Sequence, residues 1–311
     1  TDAGGDAEKF DNTHHHLPPT LLVELAACPF ARCGSRRDRR QQSRRRATRV
    51  NIETGDPEFL VPAIPASTLI LFRERADGAP ELLLVERSKG MAFAGGAIVF
   101  PGGRIDPDDH LLADRHSHIE RECAAARIAA IRETIEESGV PIGLTTTPPT
   151  GWLEEARKAL HNRQMFSALL DAAQLELDLD QLVPFARWRP NFKEARVFDT
   201  RFYIARAPDD LPEAIVDATE NVRTFWDSAQ ATIDSALRGD VHVIFPTHRN
   251  LERLALFDTF EAAAEHARSI PVRMCTPWVE KNGEETWLCI PDDLGYPVTR
   301  ESFRTAKRAG D

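Results

Sequence analysis

The stretch RETIEESGV, residues 132–140, places three glutamates within five positions of one predicted helix. Glu133, Glu136 and Glu137 are spaced i, i+3 and i+4, so a helix brings their side chains to one face. Like charges at this spacing repel each other by roughly a few tenths of a kcal/mol per pair in an isolated helix. The pattern is typical either of a solvated helix surface or of a site in which cations lie between the carboxylates.

The helix that carries these glutamates has recognisable ends. Ser117 and Glu120 fit a capping box at its start. Gly139 stands where a left-handed residue ends a helix, and Pro141 prevents its continuation. The apolar positions lie on the side opposite to the glutamates and predict a buried stripe of Ala124, Ile128, Ile131 and Ile135. The sequence therefore predicts a half-buried helix with one acidic face.

A second signal lies upstream in FPGGRID, residues 100–106. A predicted strand runs into Pro101-Gly102-Gly103, and a glycine turn exposes backbone N–H and C=O groups. Such a turn can bring the Gly103 carbonyl to a metal ion held by the acidic helix. Since Mg²⁺ accepts few carboxylates, keeps waters and binds phosphate oxygens, the two signals together predict a hard-oxygen metal site. Its expected ligands are Glu133, Glu136, Glu137 and the Gly103 carbonyl, and Arg132 at the rim is expected to orient one glutamate.

Composition narrows the class of protein. The chain has 311 residues, of which 42% are hydrophobic and 28% charged, as in an ordinary soluble globular protein. A formal net charge of -10 argues against a general nucleic-acid binder, which needs cations to replace phosphate counterions. No apolar run approaches the roughly 20 residues that span a bilayer. Five scattered cysteines give no disulfide framework and indicate a reducing, cytoplasmic compartment.

The chain divides into three predicted regions. Residues 1–60 contain the basic run SRRDRRQQSRRRATR and are expected to be a disordered or mis-assigned leader, with a targeting role as the alternative. Residues 61–300 form the predicted domain, and residues 301–311 a C-terminal tail. Two helices between about 152 and 182 are expected to form an inserted helical subdomain.

The remaining elements are a mixture of helices and strands with an antiparallel bias. Strands are predicted at 67–73, 81–86, 97–100 and 196–205 from apolar runs and alternation. Lys281-Asn-Gly-Glu284 predicts a hairpin between two further strands. Helices are predicted at 226–237 and 250–267. The fold class is therefore α/β, in the broad sense that includes α+β.

The glycine turn and the acidic helix together resemble the Nudix box, G-x5-E-x7-REUxEExGU, in which U is apolar. Twenty-eight residues separate Gly103 from Arg132 where the box has 13, so about fifteen residues are inserted, and Thr134 occupies the first apolar position. The early glutamate of the box has no secure counterpart, and Asp106, Glu120 or Glu122 can substitute for it.

The interruption is itself similar to one subfamily, which includes the peroxisomal coenzyme A diphosphatase of animals and its bacterial relatives. The segment from LLLVERSK to FPGGRID, residues 82–106, carries the resemblance, and FARWRP, FDTRFYIA, FPTHRNLERL and IPDDLGYP extend it over about residues 61–298. It implies a Nudix α/β/α sandwich with a mixed sheet. It also implies Mg²⁺- or Mn²⁺-dependent hydrolysis of coenzyme A or acyl-coenzyme A to 3′,5′-ADP and (acyl-)phosphopantetheine.

The resemblance also implies roles for individual residues. Glu133 and Glu137 are the first expected metal ligands, with Glu136 close behind, and Glu133 is alternatively a base. Glu220 is the candidate for a late acidic residue. The expected phosphate partners are Arg87, Arg104, Arg187, Arg189 and Lys193. Three aromatic residues either stack a base or pack in the core, namely Trp188, Phe192 and Phe202.

Two alternatives to a coenzyme A substrate stay open. The first alternative is the same chemistry on ADP-ribose, a dinucleotide or a nucleotide sugar. The second is a non-catalytic domain that binds a nucleotide and has a regulatory role. The intact glutamates speak against the latter, because a binding module has no need of a repulsive carboxylate cluster. The expected partner is a small nucleotide diphosphate, not nucleic acid or a membrane, and a homodimer is left open. An ending in RTAKRAGD, unlike the peroxisomal SKL type, favours a cytoplasmic relative.

Overall fold

The computed structural model describes residues 62–91, 94–190, 196–208, 211 and 221–303. The predicted leader and all but the first three residues of the predicted tail lie outside these ranges. Every structural statement below refers to the described residues.

A large mixed sheet forms the centre of the described region. Its nine strands are β1 (Ile64–Arg73), β2 (Glu81–Arg87), β3 (Ala97–Val99), β4 (Gly102–Arg104), β5 (Val183–Trp188), β6 (Phe198–Arg206), β7 (Asn221–Ser228), β8 (His242–Val243) and β9 (Met274–Cys275). The strand order is β8-β3-β2-β1-β6-β5-β9, with β4 also paired to β1 and β7 to β2. β1 and β6 run parallel from the pair Ile64–Phe198 to the pair Phe72–Arg206, whereas β1 pairs with β2 and β4 antiparallel.

Helices cover both faces of this sheet. They are α1 (Pro107–Ala113), α2 (Arg121–Ser138), α3 (Trp152–His161), α4 (Phe166–Ala173), α5 (Ala229–Arg238), α6 (Phe245–Leu254) and α7 (Phe260–Ser269). Successive strand side chains point to opposite faces. Accordingly, Leu69 and Leu71 of β1 join the core beneath α1–α4, while Ile70 and Phe72 join the core beneath α5–α7. The fold is the expected α/β/α sandwich with a mixed sheet.

A small antiparallel sheet lies near the C-terminal end of the described chain. It contains β10 (Trp278–Asn282), β11 (Glu285–Cys289) and β12 (Arg300–Ser302). Asn282 pairs with Glu285, so the connection between β10 and β11 is a two-residue turn. Gly283 within it has a φ of 64°, which glycine adopts without strain. The hairpin predicted from Lys281-Asn-Gly-Glu284 is confirmed.

Two predicted helices have wrong boundaries. Trp226 belongs to β7, where it pairs with Leu83, and α5 begins only after Ser228, whose hydroxyl accepts a hydrogen bond from the Ala231 amide. The helix predicted at 250–267 is two helices, because the Thr259 hydroxyl caps a new helix start at the Ala262 amide. Both errors come from caps inside runs whose composition suits a helix.

The start of the acidic helix also differs from the prediction. α2 begins at Arg121 rather than after Ser117, because the Glu120 carboxylate accepts hydrogen bonds from the Glu122 and Cys123 amides. The polar stretch before it contains a helix that the sequence did not predict, α1, which opens at Pro107 after Asp106. Pro is favourable at the first helical position because its missing N–H is not needed there.

The three cysteines in the described ranges differ in state. Cys275 and Cys289 are free and buried. Cys123 is disulfide-bonded, a pairing for which the scattered cysteine spacing gives no signal. Among the helices described, none combines the length and the apolar character that crossing a bilayer requires.

Candidate active site

The acidic helix α2 lies against the sheet and presents its glutamates at one end of it. Ile128, Ile131 and Ile135 are fully buried, as the apolar stripe predicted. The helix ends at Gly139, which has a φ of 70° and donates its N–H to the Ile135 carbonyl. The predicted stop is therefore confirmed, and it places Glu136 and Glu137 in the last turn of the helix.

Glu137 joins the helix to the glycine turn. Its side chain is buried, and its Oε2 accepts a hydrogen bond from the Gly102 amide at 3.0 Å. The Asn221 side-chain amide at the start of β7 donates to the same carboxylate, and the Arg87 guanidinium at the end of β2 attracts it. Sequence reasoning singled out Arg87 but not Asn221, which pairs with Arg87 across the sheet.

Glu133 lies against the second glycine of the turn. A Cβ atom on Gly103 would stand only 2.6 Å from Glu133 Oε2, so glycine is needed for this close approach. Arg132 Nη1 donates to Glu133 Oε1 at 2.9 Å, so Arg132 does orient one of the glutamates. The strand β4 that carries both glycines is held by pairing with Ser67 and Thr68 of β1.

Burial and mutual repulsion raise the pKa of two carboxyl groups in this site. Burial raises the pKa of Glu133 to about 7; Arg132 opposes the rise and Glu136 adds to it. Burial also raises the pKa of Glu137 to about 8, with a further increase from the Glu133 charge, while Arg87 and the hydrogen bonds from Asn221 and Gly102 oppose it. The Glu133 side chain is 15% exposed and Glu137 is buried. Two such carboxylates that resist ionisation form a site in which a cation would be strongly favourable.

Glu136 has different neighbours. Its carboxylate lies 3.7 Å from Arg132 Nη1 and 3.8 Å from His161 Nδ1 of α3. Arg157, also on α3, donates to the Glu136 carbonyl at 3.1 Å and to the Glu137 carbonyl at 3.4 Å. Helix α3 thus holds the C-terminal end of α2, where carbonyl groups lack intrahelical partners.

Arg132 is fixed from the opposite side by an acid that sequence reasoning missed. Asp109 of α1 is fully buried and accepts from Arg132 Nε at 3.1 Å and Nη2 at 3.0 Å. The acids named for the early position of the box lie elsewhere. Asp106 is 56% exposed and 3.8 Å from Arg132, Glu120 caps α2, and Glu122 lies 3.6 Å from His110. Counting G-x5-E forward from Gly103 arrives at Asp109, so the forward spacing was the usable signal.

The insertion follows Asp109, so the acid keeps its spacing from Gly103 while the chain completes α1 before entering α2. Asp108 accepts from the Ser167 amide at 2.9 Å and hydroxyl at 2.6 Å, which ties α1 to α4. Thr134, the polar residue at an apolar position of the box, is buried and donates its hydroxyl to the Ala130 carbonyl at 2.7 Å. Its polarity is thereby satisfied within the helix.

Other predicted site residues lie apart from the carboxylates or outside the described chain. The Arg104 side chain is exposed, and its carbonyl accepts from Arg132 Nη2 at 2.8 Å. Arg187 is bonded to both oxygens of Asp199, at 2.7 and 2.6 Å, and the Arg189 amide donates to the Cys275 carbonyl. Trp188 and Phe202 are buried in the core beneath α5–α7. Lys193, Phe192 and Glu220 lie outside the described residues.

The donor set suits a small divalent cation bound with few protein ligands. Across the described ranges, no three Asp, Glu, His or Cys side chains are already grouped as a metal cluster. Glu133 and Glu137 nevertheless form a pair of hard-oxygen donors beside the glycine turn. Mg²⁺ commonly binds through one or two carboxylates and completes its shell with water and phosphate oxygens. The pair is therefore consistent with such an ion, whereas the contacts of Glu136 with Arg132 and His161 make it a weaker candidate ligand.

Comparison with known proteins gives the same family as the site. No family model matches the chain. Nudix hydrolase 7 of Caenorhabditis elegans is 25% identical to it, over 69% of this chain and 69% of the relative. The human acyl-coenzyme A diphosphatase NUDT19 is 27% identical, over 57% of this chain and 60% of the relative. Each is a protein to which the chain is similar.

A solved structure supports the family independently. The crystal structure of a Nudix hydrolase from Alicyclobacillus acidocaldarius superposes with a TM-score of 0.59 and 26% identity, over 66% of this chain and 96% of that one. Three observations point to the same family: the fold, the acidic helix at the glycine turn and the sequence similarity. The chain therefore has the fold and the glycine turn with acidic helix of a Nudix hydrolase, and its sequence is similar to Nudix hydrolases that include an acyl-coenzyme A diphosphatase.

Proposed function

We propose that this protein hydrolyses the diphosphate of coenzyme A or acyl-coenzyme A to 3′,5′-ADP and (acyl-)phosphopantetheine, with Mg²⁺ or Mn²⁺ as cofactor. The observation that carries the proposal is the pair formed by the part-buried Glu133 and the buried Glu137 at the Gly102–Gly103 turn. In the reaction, a water oxygen bonds to one phosphorus and the bridging oxygen leaves with the other phosphate. The bound metal would neutralise the diphosphate and activate the water.

The residues around the pair have separate tasks in this proposal. Glu133 and Glu137 hold the metal through carboxylate oxygens, and the Gly103 carbonyl is a further candidate ligand. The Gly102 amide and Asn221 hold Glu137 in place. Arg87, beside Glu137, is the candidate cation for a substrate phosphate. Since such reactions depend on positioning and electrostatics, these contacts form the catalytic machinery.

Arg132 and Asp109 act one step further from the substrate. Arg132 donates to Glu133 through Nη1, while Asp109 holds its other edge through Nε and Nη2. This arrangement fixes the position of the Glu133 carboxylate. Glu133 as a base that takes the proton of the attacking water remains an alternative to its role as a ligand.

The preference for a coenzyme A substrate rests on similarity. The human relative is an acyl-coenzyme A diphosphatase, and the interrupted box resembles that subfamily. Because the residues around the carboxylates address a diphosphate in general, they do not separate coenzyme A from ADP-ribose, dinucleotides or nucleotide sugars. The substrate is therefore decided by measurement.

A substrate panel tests the proposal. Wild type and Glu137→Gln are assayed with Mg²⁺ and with Mn²⁺ on coenzyme A, acetyl-coenzyme A, ADP-ribose, a dinucleoside polyphosphate and a nucleotide sugar. We expect wild type to prefer the coenzyme A compounds and Glu137→Gln to lose about 100-fold or more in kcat/KM. Glu265→Gln, at an exposed position of α7, is the matched control and should behave as wild type.

The other outcomes decide against parts of the proposal. A higher kcat/KM on ADP-ribose, dinucleotides or sugars would retain the chemistry and reject coenzyme A. If wild type and Glu137→Gln were equally inactive on every compound but both bound one of them, the protein would be a nucleotide-binding module. Equal activity of the two on coenzyme A would exclude Glu137 from the site.

A further inference from the structure

A buried cation lies on the opposite side of the sheet from the carboxylates. Arg253 of α6 is 2% exposed and belongs to the side of the fold covered by α5–α7. Its Nη1 donates to the Phe185 carbonyl at 3.0 Å. The guanidinium carbon stands 4.1 Å from the centre of the Phe185 ring and 5.5 Å from that of Tyr296. These contacts hold the side chain in place without neutralising its charge.

The charge of Arg253 has no acidic partner. Among the described residues, no carboxylate oxygen lies within ion-pair distance of it, and its Nε and Nη2 make no hydrogen bond. The nearby Tyr296 hydroxyl already accepts from Trp188 Nε1 at 2.7 Å and donates to Asn250 Oδ1 at 3.0 Å. A guanidinium stays charged in proteins, and a buried charge without a counter-charge is strongly unfavourable.

The side chain borders a small cavity rather than packed atoms. The cavity volume is about 10 Å³, and Arg187 and Arg273 also line it. Both of these arginines are paired with acids, Asp199 and Asp293, but none of the residues that line the cavity is acidic. The remaining walls are largely apolar, including Val272, Cys275 and Leu294. The space holds about one oxygen-sized atom and is bordered by Arg253 and Arg273. Arg187 lines it from β5, but its guanidinium is bonded to Asp199.

We infer that this cavity is a binding site for a small oxyanion, separate from the carboxylate site, with an anionic oxygen seated against Nε and Nη2 of Arg253. Those two donors lie on one edge of the guanidinium, the edge that carboxylate and phosphate groups bind side-on. The rest of the anion lies towards the half-exposed Arg273. Inorganic phosphate and a carboxylate share this chemistry, so both are probes of the site.

Calorimetric titration of the metal-free protein tests the inference. Phosphate and, in a second arm, acetate are titrated in low-chloride buffer into wild type, Arg253→Met, Arg273→Ala and the exposed control Arg268→Ala. We expect saturable binding of one anion to wild type and to the control, at least tenfold weaker binding to Arg253→Met, and severalfold weaker binding to Arg273→Ala. The arm with the tighter binding identifies the anion class.

Further variants keep the result interpretable. Circular dichroism establishes whether Arg253→Met folds; if it does not, Arg273→Ala, which alters a half-exposed side chain, decides the question. Arg87→Ala changes the carboxylate site and should leave anion binding intact. The inference is overturned if wild type binds neither anion, since the cavity then holds only water. It is equally overturned if binding survives both Arg253→Met and Arg273→Ala, or is lost with Arg87→Ala.

Discussion

Arg132 shows how a single residue organises the carboxylate site. Its guanidinium is almost buried, yet each edge has a partner, since Asp109 binds Nε and Nη2 while Glu133 binds Nη1. Burial raises the pKa of Asp109, and the attraction of Arg132 opposes that rise. A planar group held on one edge presents the other edge at a defined angle. The position of Glu133 therefore depends on an acid that does not touch the substrate.

Asp109→Asn should weaken both the fold and the reaction. Removing one charge of a buried pair leaves Arg132 uncompensated, at a cost of about 3 kcal/mol in the free energy of unfolding. Because Glu133 loses its orientation, we expect kcat/KM for the diphosphate substrate to fall about 10- to 100-fold. Urea denaturation and steady-state kinetics measure the two effects.

Asp114→Asn is the matched control for this prediction. Asp114 also pairs with an arginine, Arg121, but both side chains are exposed. Because solvent screens an exposed pair, its loss should leave both the free energy of unfolding and the kinetics close to those of wild type. Should Asp109→Asn match wild type in both measurements, Asp109 has no part in orienting Arg132.

At the scale of elements, strand β4 couples the sheet to the acidic helix through two glycines with different surroundings. A Cβ on Gly102 would stand 2.6 Å from Thr68 Oγ1 and 2.8 Å from Thr68 Cα, inside the pairing with β1. The three atoms nearest to a Cβ on Gly103 would all belong to the Glu133 carboxylate, the far end of a side chain. The absence of a Cβ is therefore required by the sheet at Gly102, whose amide also binds Glu137, and by the Glu133 carboxylate at Gly103.

Alanine substitutions should separate these two roles. Gly103→Ala displaces Glu133, and we expect kcat/KM to fall about 100-fold with little change in melting temperature, because a misplacement of about 1 Å costs that much. Gly102→Ala disturbs β1 and should lower the free energy of unfolding by about 1–3 kcal/mol. Gly90→Ala, where the nearest atom is 4.0 Å away, is the control for both. A large loss of stability in Gly103→Ala would contradict this division.

Elements governed by neighbouring residues were predictable from the sequence. The stop at Gly139 and the hairpin at Gly283 follow from backbone conformations that glycine supplies locally. The misplaced start of α5 and the division between α6 and α7 depend on caps at Ser228 and Thr259 within helix-like composition. Helix propensity and hydrophobic pattern do not show which of several polar residues caps a helix by accepting a hydrogen bond from a backbone amide.

At the scale of the whole molecule, contacts between distant segments were the part that sequence could not provide. The α/β/α sandwich was implied by the resemblance to the Nudix box, and the acidic face of α2 followed from helical spacing. The pairing of Arg132 with Asp109 joins elements 23 positions apart, and Asn221 reaches Glu137 only through the pairing of β2 with β7. Buried partners of this kind depend on tertiary packing, which periodicity does not encode.

The metal hypothesis predicts a change in the stability of the whole molecule. The pair Glu133–Glu137 destabilises the metal-free fold by repulsion, and a bound cation reverses this. An ion that binds only the folded state adds about 2.7 kcal/mol at a concentration 100 times its Kd. For a domain of this size we expect the melting temperature of wild type to rise by about 5–10 °C with Mg²⁺ or Mn²⁺.

The double variant Glu133→Gln/Glu137→Gln should show no rise, and without metal it should melt no lower than wild type. Glu265→Gln should respond as wild type does, and sodium chloride at matched ionic strength accounts for general salt effects. An equal rise in wild type and the double variant would mean that the cation binds elsewhere, and the carboxylate pair would then need another explanation.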